Sequence, residues 1–99
     1  MDTKHNVDYI SRMPNSIYTD EMQALISWLK SERKRHKLSM RALAQRMDKP
    51  HSYIQKIEQG ERRLDVVEYV WYCNTLGVNP QRGLDLINTE IQSQVVKKA

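Results

Sequence analysis

Ninety-nine residues, 39% of them hydrophobic and 28% charged, suffice for one domain with a single small core and are too apolar for a disordered chain. The formal net charge is +4, but the excess is local: residues 28–63 carry eleven basic and four acidic side chains, whereas the segments on either side are slightly acidic. One cysteine, three scattered histidines and the lack of a long apolar run exclude a disulfide framework, a metal-ligand cluster and a membrane-spanning helix.

In chain order, residues 1–19 show no sustained period, and Pro14 forces Met13 towards an extended backbone. This stretch reads as an N-terminal arm. Its Tyr9, Ile10 and Met13 can pack on the domain's own surface or on a second copy. The polar start is unlike a secretory signal, so a cytoplasmic location is expected. A domain is expected over residues 20–96, with 97–99 as a tail.

The first helix should begin with Asp20 as its N-cap and Gln23 in capping-box register. Met22, Leu25, Ile26 and Leu29 then share one face at helical spacing. A run of cations carries it to about Lys37, where positive charge suits the helix dipole. The second helix should be capped by Ser39, with Leu38, Ala42, Leu43 and Met47 turned inward. Ala44 is small enough for a close helix crossing. Asp48 stands at the turn, a place that Asp tolerates better than most side chains. The third helix should run from Pro50, in the first turn, to Gln59, with Ile54 and Ile57 inward. Gly60 supplies a left-handed stop.

The fourth helix opens on a capping box, Asp65 with Glu68, and offers Val66, Val67, Val70, Cys73 and Leu76 as its apolar residues. Gly77 ends it. Asn79 and Pro80 open the fifth helix, which continues through Leu84, Leu86, Ile87 and Ile91 to roughly Val96. Trp71 and Tyr72 are adjacent, so one helix cannot bury both. The expectation is five helices and no strand, an all-α domain.

Residues 38–60, two short helices about a tight turn inside the basic segment, have the pattern of a helix-turn-helix, whose second helix enters the major groove of DNA. The sequence resembles the Cro/C1-type (XRE-like) helix-turn-helix family over residues 25–80. The resemblance rests on L-K-x-x-R-K at 29–34, L-S-x-x-x-L-A-x-x-M at 38–47 and S-Y-I-Q-K-I-E-Q-G at 52–60. It extends to R-R-L-D-V-V-E at 62–68 and L-G-V-N-P at 76–80. Two positions depart from it. Asp48 stands where the family usually has Gly, and Met40 where it usually has Gln, so that glutamine's DNA contact is not carried over.

The resemblance implies a compact lambda-repressor-like domain of five helices that binds double-stranded DNA as a homodimer. It assigns base reading to His51, Ser52, Gln55 and Lys56. Gln pairs bidentately with adenine and Lys favours guanine acceptors, which agrees with that assignment. Phosphate contacts fall to Ser39 and Arg41 at the start of the second helix, to Tyr53, and to Arg62 and Arg63 in the following loop. Arg33 and Glu58 stand where the family commonly has an ion pair. A repressor of an inverted-repeat operator is one expectation, its dimer surface drawn from the fifth helix and from some of Trp71, Tyr72, Leu86 and Val95. The alternative is an antitoxin or other protein-binding module whose DNA binding is secondary. No nucleophile arrangement, phosphate-binding glycine loop or metal cluster is present in the sequence, so neither catalysis nor a cofactor is expected.

Overall fold

A computed structural model describes the backbone of residues 19–98 and the side chains of residues 19–95. The expectations for the N-terminal arm, including Tyr9, Ile10 and Met13, lie outside the described residues. Five α-helices follow one another: α1 Asp20–Arg35, α2 Met40–Arg46, α3 His51–Glu58, α4 Val66–Leu76 and α5 Pro80–Lys98. No strand occurs among the described residues. The core is a single cluster in which Leu25 and Leu29 of α1 meet Leu43 and Ala44 of α2, Ile54 and Ile57 of α3, and Tyr69, Tyr72, Cys73 and Leu76 of α4.

The helix starts follow side-chain chemistry, with two shifts from expectation. The N-cap of α1 is Thr19, whose hydroxyl accepts the Met22 N–H at 3.2 Å. Asp20 is the first helical residue, which puts two acids, Asp20 and Glu21, in the first turn where the dipole favours them. Ser39 caps α2 by accepting the Ala42 N–H at 3.0 Å. Pro50 is the N-cap of α3, not part of its first turn; its ψ of 153° is extended and the helix begins at His51. Asp65 and Glu68 form the complete capping box of α4.

The first four helices all stop in the same way. A left-handed residue follows each: Lys37 (φ 59°), Asp48 (φ 56°), Gly60 (φ 73°) and Gly77 (φ 79°). In every case the next N–H reaches back five residues, as Leu38 N–H does to the Arg33 carbonyl at 3.1 Å and Lys49 N–H to that of Ala44 at 2.9 Å. Lys37 therefore lies outside α1, which is two residues shorter than its run of cations implied. The last helix runs to Lys98, past the expected end near Val96.

Gly83 brings α5 against α1 and α4. A Cβ there would lie 2.8 Å from Leu25 Cδ1 and 2.9 Å from Trp28 Cζ3, and would also run into the Tyr69 hydroxyl. That hydroxyl donates to the Pro80 carbonyl. Further along, Gln94 of α5 donates to Glu21 at 3.3 Å, which makes α5 antiparallel to α1. On α4 the inward face is Tyr69, Tyr72, Cys73 and Leu76, while Val66, Val67 and Val70 are exposed. Of the apolar residues that the sequence offers on this helix only Cys73 and Leu76 are buried, because Tyr69 and Tyr72 set the inward stripe. Trp71 is exposed and Tyr72 is wholly buried, so Tyr72 cannot belong to a dimer surface.

Candidate nucleic-acid interface

The basic segment separates into two sets of side chains. One set is spent on internal pairing. Arg33 and Glu58 form a bidentate pair, Nε to Oε2 at 2.6 Å and Nη2 to Oε1 at 3.0 Å, with both side chains buried. The third arm of that guanidinium donates to the Leu38 carbonyl at 2.7 Å. Arg33 thus ties the end of α1 to the end of α3 and to the strand of chain that leads into α2. Its pKa is raised above the ordinary arginine value, first by this hydrogen bonding to Glu58. Arg35 folds back on the buried Glu32 at 2.8 Å.

The loop after α3 is held in the same manner. Arg62 lies 2.9 Å from the Glu68 carboxylate and stacks its guanidinium 4.7 Å from the Tyr53 ring. Tyr53 donates its hydroxyl to the same carboxylate at 3.1 Å. Glu68 also accepts the Asp65 N–H, so one carboxylate joins the start of α4, the loop and α3. Donation by Arg62 is the first cause holding Glu68 below the usual glutamate value. Burial, then the bond to Glu68, pushes Tyr53 up to about 12.

Tyr53 is only 6% exposed. It packs in the core and does not stand out towards a backbone phosphate; the spacing of α3 puts it on the side of Ile54 and Ile57. Arg62 is likewise engaged by Glu68, with its side chain 39% exposed, so the loop holds it in an ion pair at the domain surface.

The other set faces outward. His51, Ser52 and Lys56 are exposed on α3, and Gln55 is half-buried between them and the body of the domain. Gln55 lies at the edge of a shallow groove walled by Lys30, Arg33, Lys34 and Met40. No side chain caps the start of α3, since Pro50 has no side-chain oxygen. Ser39 and Arg41 are exposed at the start of α2, and Arg63 is exposed beside Arg62. The two short helices α2 and α3 are therefore fixed from behind by Glu58, Arg33 and the core, with a polar and cationic row in front. This row can donate and accept hydrogen bonds at base edges and can neutralise phosphates. No group of three or more metal-ligating side chains occurs among the described residues, and no described helix is long and apolar enough to cross a membrane.

Sequence reading missed the inward turn of Tyr53 and the role of Gly83. The spacing of Tyr53 to Ile54 and Ile57 was a usable signal. Nothing local marks Gly83, whose neighbours come from α1 and α4.

Comparison with known proteins agrees with this geometry. A family model described as Helix-turn-helix matches residues 29–82, more than half of the chain. Among solved structures, an XRE-family like protein from Pseudomonas syringae pv. tomato str. DC3000 superposes with a TM-score of 0.68 at 28% identity, covering 88% of this chain and 98% of its own. The clp gene regulator ClgR from Corynebacterium glutamicum has the same fold, with a TM-score of 0.64 at 20% identity over 81% of this chain and 85% of its own. Among curated proteins no sequence matches significantly. The chain belongs to the Cro/C1-type (XRE-like) helix-turn-helix family of DNA-binding transcriptional regulators.

Proposed function

We propose that the protein is a sequence-specific repressor that binds an inverted-repeat operator as a homodimer, with α3 in the major groove. The observation that carries this reading is the division of α3 into two faces. Tyr53, Ile54 and Ile57 are buried, while His51, Ser52 and Lys56 are exposed and Gln55 is half-buried. A helix held so firmly on one side presents the other in a fixed orientation, which base readout requires. Gln55 and Lys56 supply the base contacts that discriminate most, with His51 and Ser52 beside them. Ser39, Arg41 and Arg63 take phosphates and set the register of the domain on the duplex.

Fluorescence-anisotropy titration at physiological salt tests the reading, with duplex from upstream of the protein's own gene set against a scrambled duplex. A preference of about a thousandfold is expected. Weak, equal and steeply salt-dependent binding would reduce the site to a basic patch, and Gln55→Ala should erode the preference more than the affinity for scrambled DNA.

A further inference from the structure

Helix α4 carries two apolar faces. Tyr69, Tyr72, Cys73 and Leu76 point into the core, and Val67, Val70, Trp71 and Asn74 repeat the same spacing on the opposite side. Val67 is 53% exposed, Val70 37% and Trp71 52%, with Val66 beside them at 68%. The helix has one charged residue, Glu68, and that residue is turned into the network with Tyr53 and Arg62. The outward face is therefore uncharged. A helix that is apolar all round is ordinarily covered on both sides.

We propose that this face is the contact between two copies of the chain, related by a two-fold axis, with Val67, Val70 and Trp71 at its centre. The proposal deepens the dimeric reading given above and rests on it. Three observations favour a second copy as the occupant. An uncharged apolar face does not repel its own image, as a two-fold contact requires. At one end it runs into an open groove of about 470 Å³ lined by Trp71, Asn74, Arg46, Asp48 and Lys49. Charges of both signs line that groove, so it does not repel a second copy by net charge.

The third observation is position. The Lys49 ammonium lies 5.6 Å from the Trp71 ring and 5.3 Å from that of Tyr53, so the face adjoins the start of α3 without including His51, Ser52, Gln55 or Lys56. Pairing here leaves the DNA-reading row of each copy open. The exposed parts of the four apolar side chains supply roughly half of the ~800 Å² that each partner of a standard interface buries. The dimer is accordingly weak in the absence of DNA.

Sedimentation equilibrium of the full chain without DNA, from about 1 μM to 1 mM, tests the proposal on wild type, Val70→Glu, Trp71→Ser and Ile91→Glu. Ile91 is 39% exposed on α5 and serves as the control face. Circular dichroism melting checks that each variant is folded, and Trp71→Ser, which removes an exposed side chain without adding charge, covers a failure of Val70→Glu to fold. Wild type should form a reversible dimer, which Val70→Glu and Trp71→Ser weaken by about tenfold or more and Ile91→Glu by less than about twofold. A wild type monomeric at the top concentration would overturn the proposal. Dimerisation lost in Ile91→Glu and kept in the two α4 variants would move the contact to α5. Because no DNA is present, a dimer that ignores the upstream duplex would defeat the DNA reading alone, and a monomer that prefers that duplex would defeat the dimer contact and leave the sequence-specific reading standing.

Discussion

Arg33 and Glu58 tie the end of α1 to the end of α3. Both side chains are buried and every arm of the contact is short, so removing one partner leaves a charge without compensation inside the domain. Glu58→Ala should cost on the order of 3–5 kcal/mol in urea unfolding; a loss below about 1 kcal/mol would place the pair among those with little net worth. A different residue-scale effect acts at the helix ends. Lys37 and Asp48 both hold positive φ, and the steric cost of about 1–2 kcal/mol falls in full on lysine and less on aspartate, whose short side chain tolerates the left-handed region. Lys37→Gly should therefore raise the unfolding free energy by about 0.5–1 kcal/mol after the entropy cost of glycine, and by more than Asp48→Gly does. The reverse order would mean that Asp48 carries more strain than its turn implies.

At the scale of elements, α5 is placed by what it lacks. Alanine is the better helix former by about 1 kcal/mol, so propensity alone says that Gly83→Ala stabilises. The Cβ would meet Leu25, Trp28 and Tyr69 at once, and separating three packed side chains costs about 1–3 kcal/mol. The contacts win: Gly83→Ala should lower the melting temperature and weaken the docking of α5 on α1. A raised melting temperature would show that the helix pair relaxes freely. The link between α3 and α4 is electrostatic instead. Glu68 lies below the ordinary glutamate value of 4.5 chiefly because Arg62 donates to it, and Glu32 does so because of Arg35. The folded protein then binds fewer protons at these sites than the unfolded chain. Their stabilisation is complete above pH 4.5 and is lost as pH falls through the depressed folded values. Melting temperature followed from pH 7 to about pH 3 should decline below 4.5, and Glu68→Gln should flatten that decline.

For the whole molecule, the basic segment is less available than its formal charge implies. Arg33, Arg35 and Arg62 are matched by Glu58, Glu32 and Glu68. The salt dependence of DNA binding must then come from cations that face solvent, Arg41 among them. Arg41→Ala should weaken binding to all duplexes alike and lower the salt slope by about one. Arg62→Ala should instead lower the melting temperature and leave the slope nearly unchanged. A slope that drops with Arg62→Ala would return that side chain to the phosphates.

By itself the sequence determined what depends on neighbours along the chain. Caps such as Ser39 and Asp65, the stops at Gly60 and Gly77 and the apolar spacing of α1 and α3 are settled within a few residues, and the five helices follow from them. The order and spacing of the motifs also carried the family. Tertiary structure decided which face of α4 is inside, because two apolar stripes compete there and the larger side chains Tyr69 and Tyr72 fill the space under α1 and α3. It also decided that Tyr53 and Arg62 share one partner, Glu68, which sits on the following helix. Gly83 became legible only when α1 and α4 closed around it: the physical reason for a missing side chain is the volume of residues far away in sequence.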